Sequence, residues 1–429
     1  MPATSSAIRA RSGRCTTSTS RSTATRQPGS SSTPSEDEMS AFSKAVGCLI
    51  VGCATTLPMA AGPAPVTASP VVDASTNLAC GWSPRIGAGT LNFAYPDAFA
   101  NYWVTFVPAI PGTTLTIRGS FPHARYMSFT AYTRLGHVSG ALNDQLITAD
   151  PGGSNPFLDG GDRDAGGREY TIRVVVGERP PQPEPNTLYT GDSTGLVPVV
   201  YRVYRPDAEL DATGGAGLPR LTVDSASGSR LDLSECGATD AAFDPHVTYP
   251  PGRLRYPSLV QVPKAPDWRS VAGGGYFPNP DNKYLATLLD PGRIAVVRGR
   301  MPTFAPTYQG RATMQSGEVR YWSLCTNNPI STAVTACVVD DELDVDAAGF
   351  YTVVVSSSSD RPVGCGIGWL PTDGGSDLLI MRNLLPDSDF VHSVQAADPA
   401  DPRATMGPYY PEVRYESRDE IDSWGCPSE

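Results

Sequence analysis

Alternating side chains mark out strands along most of the chain. From Arg125 to Tyr132, the residues Arg125, Met127, Phe129 and Ala131 fall on one face, and Tyr126, Ser128, Thr130 and Tyr132 on the other, because successive strand side chains point to opposite sides. Tyr170 to Val176 is rich in Thr, Ile and Val, Val197 to Arg205 alternates aromatics with valines, and Tyr351 to Val355 is a continuous β-branched run. Turn sequences such as Asp150-Pro151-Gly152-Gly153 separate these segments. With 42 Gly and 41 Pro in 429 residues, turn-formers are frequent enough to favour many short strands over long helices. Helical periodicity is confined to Asp398 to Ala404. The pattern predicts an all-β protein of sandwich or jelly-roll-like domains with little helix.

The chain also repeats itself. Pro111-Gly112, Arg118-Gly119 and Pro122 return as Pro291-Gly292, Arg298-Gly299 and Pro302, all displaced by 180 residues, and Arg202 with Pro206-Asp207 returns as Arg382 with Pro386-Asp387. Between these markers, Arg125-Tyr126 with Ser128 answers Arg320-Tyr321 with Ser323. Tyr170-Thr171 likewise answers Tyr351-Thr352, and Asp97 with Tyr102 answers Asp281 with Tyr284. A colinear series of this kind predicts two similar domains from an internal duplication. The expected bounds are 76–236 and 270–429, joined by a Pro-rich linker over 237–269 whose Tyr249, Tyr256 and Trp268 pack it along the surface.

The N-terminus follows a different pattern. Residues 1–38 are rich in Ser, Thr and Arg and nearly free of large apolar side chains, so they read as disordered or as an over-extended reading frame starting ahead of Met39. Lys44 followed by the apolar run Ala45 to Gly52 has the layout of a signal peptide within 39–68. Two processing sites fit: a lipobox over Ile50 to Cys53, which makes Cys53 the lipidation candidate, and Val66-Thr67-Ala68, a small-x-small cleavage site. The apolar run is too short to span a bilayer core, which needs about 20 residues. The expectation is therefore an exported protein, secreted or held at the bacterial cell envelope, without a transmembrane span and with a lipid anchor as one alternative.

Cysteine usage points the same way. Setting aside Cys15, Cys48 and Cys53 leaves Cys80, Cys236, Cys325, Cys337, Cys365 and Cys426, an even six without a C-x-x-C pair. The domain layout favours Cys80–Cys236, Cys325–Cys337 and Cys365–Cys426. Beyond residue 68 there are 27 basic and 41 acidic residues, an acidic body that argues against nucleic acid and anionic membranes as partners.

Candidate chemistry is sparse. Gly191-Asp192-Ser193-Thr194-Gly195 matches the nucleophile pattern of serine hydrolases, but a strand follows where that motif needs a helix, so Ser193 reads as a turn residue. The four histidines, His123, His137, His246 and His392, lack the spacing that lets neighbours share a metal ion. Asp159, Asp162 and Asp164 lie in a Gly-rich loop with the oxygen ligands calcium prefers, yet without the EF-hand pattern, and a solvated loop accounts for them. No cofactor and no metal are expected. Arg118, Arg125, Arg202, Asp97 and Asp207 recur in the second copy, which suggests ion pairs or turn bonds that the fold itself uses. Trp103, His123, Tyr132, Tyr189 and Tyr204 belong to the first copy alone. With Arg125 they form the candidate ligand-binding set, since aromatics on a sheet face can stack on sugar rings or apolar ligands.

Phe121 to Phe129, Asn155-Pro156-Phe157, Asn186 to Tyr189, Tyr201 to Tyr204 and Thr213-Gly214-Gly215 resemble a group of uncharacterised secreted bacterial proteins of the actinobacterial type. More distantly, both copies resemble paired β-domains of unknown function. The resemblance implies export and a duplicated β fold, and carries no reaction. Two functional readings stand. One is an envelope-associated or secreted protein that presents a β-sheet surface or the cleft between its domains to a cell-wall glycan, a lipid or a small apolar molecule. The other is a secreted hydrolase or lyase whose acid-base set is His123, Arg125 and a nearby Asp.

Overall fold

In a computed structural model of the chain, residues 80–424 are described, apart from 134–135, 192, 235–261, 272–276, 363–365, 373–374 and 376. The leader and its candidate Cys53, His246, most of the linker with Tyr249 and Tyr256, and Cys236, Cys365 and Cys426 lie outside the described residues. Both repeat copies belong to one compact unit, Ser69–Glu429.

The first half contains nine strands: β1 (Ala100–Pro108), β2 (Thr114–Ser120), β3 (Ala124–Tyr132), β4 (Val138–Asn143), β5 (Glu169–Val175), β6 (Thr187–Tyr189), β7 (Leu196–Pro206), β8 (Arg220–Asp224) and β9 (Arg230–Leu233). They form two sheets, β1-β7-β3-β4 and β6-β5-β2-β8-β9. The second half contains β10 (Arg269–Val271), β11 (Asn282–Leu288), β12 (Ile294–Arg300), β13 (Val319–Asn327), β14 (Val334–Val339), β15 (Phe350–Ser356), β16 (Gly368–Pro371), β17 (Leu378–Pro386) and β18 (Glu412–Glu416). Its sheets run β10-β11-β17-β13-β14 and β16-β15-β12-β18. Counting from β1 and from β11, the strand orders coincide. Pairing is antiparallel except at β5–β6 and β15–β16, which are parallel in both halves. The fold is all-β. The expected helix near Asp398 is reduced to one turn, α1 (Pro402–Met406), capped by the Asp401 side chain, and a second short helix, α2 (Arg418–Asp422), starts in a Ser417/Glu420 capping box. No helix among the described residues is long and apolar enough to cross a membrane.

Each pair of sheets closes on an aromatic core. In the first half, Phe129 stacks on Tyr201 at 4.7 Å, and Trp82 and Tyr170 lie against the same rings. In the second, Trp322 meets Tyr351 at 4.8 Å. Trp268 is buried in this second core and its backbone N–H donates to Tyr410 Oη, so the structured part of the second half begins inside the span expected as linker.

Two repeated sequence features acquire physical causes. The Arg-Gly pairs place Gly119 opposite Tyr170 and Gly299 opposite Tyr351. A Cβ at either glycine would come 2.7–2.8 Å from the tyrosine Oη, so the ring fills the room a side chain would need. At the ends of β7 and β17, Arg205 and Leu385 both adopt left-handed backbone, with φ of 46° and 45°. The 180-residue offset thus reproduces even a backbone conformation that non-glycine residues seldom take.

Cys325 and Cys337 are bonded across β13 and β14 as expected. Cys80 is also disulfide-bonded and sits in a β-bridge with Ser234.

Candidate functional site

The halves meet through groups that each supplies to the other. Tyr126 on β3 donates its hydroxyl hydrogen to Asp281 at 2.7 Å, and its counterpart Tyr321 on β13 donates to Asp97 at 2.8 Å. Arg125 donates to Asp340 at 2.9 Å and to Asp341 at 2.7 Å, while its counterpart Arg320 reaches Asp144 at 3.2 Å. The second oxygens of Asp144 and Asp340 accept the backbone N–H groups of Met127 and Trp322, which are again equivalent positions. Arg125, Asp144 and Asp340 are buried, so charge pairing and hydrogen bonding offset part of their desolvation. The loop carrying Asp159, Asp162 and Asp164 adds backbone bonds from Gly160 and Arg163 to residues 312–314 of the second half.

Burial shifts several of these groups. Asp144 and Asp340 are each pushed up to about 6, chiefly by desolvation, which outweighs the opposing pull of Arg320 and Arg125. Burial, reinforced by Asp281 for Tyr126 and by Asp97 for Tyr321, holds both phenols far above their usual range, so they remain donors. The two raised carboxyls fix the sign of a pH effect. Their folded-state affinity for protons exceeds the ordinary value of 3.8, so the stability they contribute is complete below about pH 4 and is lost as pH rises through about 6. Urea midpoints should therefore fall for the wild type relative to D144N/D340N across that window. A wild type that gains relative to the variant would mean that the arginines outweigh burial.

Beside this junction lies a pocket of about 140 Å³ whose walls are equivalent positions of the two halves. Tyr102, Val104, Val200 and Arg202 come from β1 and β7; Tyr284, Ala286, Ile380 and Arg382 come from β11 and β17. Ile86, Phe93 and Leu378 extend the apolar wall. Arg202 and Arg382 are both 2% exposed, and each lies over a tyrosine ring, Tyr102 at 5.9 Å and Tyr284 at 5.7 Å. Their polar partners differ. Arg382 donates to Cys325 Sγ and to the Tyr95 carbonyl and lies 3.7 Å from Asp97. Arg202 donates to Thr130 Oγ1, to Tyr132 Oη and to the Phe277 carbonyl, and forms no ion pair with a described residue. Tyr204 completes the wall, 3.3 Å from the Tyr102 hydroxyl, and burial, then Asp97, pushes Tyr102 up to about 12.

The six residues expected to bind ligand are dispersed. Tyr204 lines the pocket, and Tyr132 stands behind it as an acceptor for Arg202. Arg125 is committed to the junction. Trp103 stacks on Tyr201 at 5.5 Å in the first core, and the Tyr189 hydroxyl accepts the Glu184 N–H elsewhere in that half. The His123 ring makes no hydrogen bond to a described residue. Burial, followed by the charge of Arg168, lowers its proton affinity. The charges nearest in effect on the ring are those of Arg168, Asp207, Arg163 and Asp164, whereas Arg125 pairs with Asp340 and Asp341. Ser193 donates to the Thr190 carbonyl in a turn. Asp159, Asp162 and Asp164 are exposed and do not converge. Among the described residues the one cluster with metal-ligand types, Asp97, Cys325 and Cys337, has its sulfurs in a disulfide. Arg202 and its counterpart Arg382, read from the repeat as fold residues, are the charged groups that reach the pocket.

No family model and no curated protein matches the chain. Among solved structures, it is similar to an uncharacterised protein from Burkholderia cenocepacia, at 12% identity and a TM-score of 0.49, over 81% of this chain and 87% of that one. It is also similar to the VPA0106 protein from Vibrio parahaemolyticus, at 11% identity and a TM-score of 0.42, over 75% and 90% respectively.

Proposed function

We propose that this is an exported binding protein that captures a small, largely apolar molecule in the pocket between its halves. The observation that carries this reading is the pocket's construction. Equivalent strand positions from both halves supply apolar walls and a few buried polar groups, the usual composition of a ligand site. An apolar cavity of about 150 Å³ holds a benzene ring, so the volume suits a single ring or a short aliphatic chain better than a glycan or an acyl lipid. The disulfide supports an oxidising compartment, in keeping with export read from the leader.

The pocket can be tested by filling it. Ala286, buried at its wall, becomes leucine in A286L. Ligand-observed NMR with benzyl alcohol, cyclohexanol and benzoate should show mutually competitive binding to the wild type and about tenfold or greater loss in A286L, because the added side chain occupies the ligand's volume. Probe binding that A286L leaves unchanged would place any ligand site elsewhere.

A further inference from the structure

The charge inside the pocket defines the ligand more narrowly. We infer that the pocket takes a monocarboxylate, a compact apolar body bearing one anionic end, with Arg202 as the group that receives it. This inference rests on the pocket being a ligand site, and adds to it the sign and the chemical class of the ligand's polar end.

Arg202 and Arg382 are equivalent in the repeat but not in electrostatics. Asp97, held by hydrogen bonds from Tyr321 and Ser323, lies beside Arg382 and balances it. The corresponding carboxylate, Asp281, is engaged by Tyr126 and Asn143 and forms no ion pair with Arg202. Arg202 is therefore a buried cation whose described partners, a threonine, a tyrosine and a carbonyl, are all neutral. Three bonds occupy three of the five N–H donors of a guanidinium. A buried charge is costly until it is paired, and the two donors left free, Nε–H and one Nη1–H, can each give a charge-assisted bond to an anionic oxygen such as a carboxylate's.

The neighbouring groups favour the same choice. Among the described residues, no Asp or Glu lines the pocket. Tyr102 and Tyr204 share one contact between their hydroxyls, in which one hydrogen suffices, so the pair retains a hydrogen to offer an anion. Ile86, Val104, Ala286 and Ile380 supply apolar surface to the same pocket for the ligand's body.

The test pairs acids with neutral alcohols of nearly the same shape. Titration calorimetry on the full chain would compare benzoate with benzyl alcohol and cyclohexanecarboxylate with cyclohexylmethanol. Each acid should bind about tenfold or more tightly than its alcohol, the scale expected of hydrogen bonds to a charged group. R202M should bring the two affinities together, and R202K should restore part of the preference. Alcohols that bind the wild type as well as the acids do would overturn the carboxylate assignment while leaving the pocket as a ligand site. Failure of all four probes would overturn both. Should R202M not fold, the acid-to-alcohol ratio of the wild type decides the question by itself.

Discussion

R125M is expected to destabilise the protein by about 3–5 kcal/mol, the usual cost of removing one partner from a buried ion pair. The loss comes less from missing attraction than from what stays behind. Asp340 is fully buried, and without the Arg125 guanidinium 2.9 Å away its charge faces a low-dielectric surrounding with the Trp322 N–H as its one remaining hydrogen bond from a described residue. Asp341 is less affected, because Arg205 also donates to it at 2.7 Å. The argument requires that R125M/D340N recover a substantial part of the loss, since asparagine keeps an oxygen for Trp322 and removes the stranded charge. Urea denaturation of the wild type, the single variant and the double variant measures this directly. A double variant as unstable as R125M alone would refute the stranded-charge account.

F129A is expected to cost about 3–5 kcal/mol, as large-to-small changes at buried aromatics do. The ring is wholly buried between Trp82, Tyr170 and Tyr201, and the stack of rings around it leaves little that can collapse into the space. The more informative part of the prediction concerns the other half. Because the halves share buried charge pairs, a lesion in the first core should lower the protection of both. Hydrogen exchange of peptides from β12 and β13 should accelerate along with that of β3 and β7. Exchange in the second half that stays at its wild-type rate would show that the halves unfold independently.

The distance over which a residue finds its partner decides how much could be read from the chain. Alternation around Phe129 and the β-branched run at Tyr351 to Val355 are local, and they become β3 and β15. The repeat markers Gly119 and Gly299 were legible for the same reason, although the tyrosine that requires each glycine lies about fifty residues away on the neighbouring strand. The junction is another matter. Arg125 meets Asp340 across 215 residues and Tyr321 meets Asp97 across 224, and no period or propensity connects such positions. Repetition suggests that Arg125 is used by the fold, but not that its partner lies in the other half. Uniqueness to the first half was a poor guide to binding, since it selected Trp103, a core residue. The repeat assigns Arg202 to the fold, and what distinguishes it from Arg382 is that it forms no ion pair with a described residue, which only three dimensions reveal.

The reciprocal contacts at the junction have the form of an isologous interface, in which each side gives at one position what it receives at the equivalent one. A free half would carry arginine and aspartate, tyrosine and acceptor together, and two identical copies would close as a dimer with the pocket on its axis. Such a dimer would confront every ligand with two identical walls. Residence in one chain lifts that restriction. Tyr204, which lines the pocket, stands where the other half has Leu384, which does not, so the two halves are free to offer one molecule different contacts.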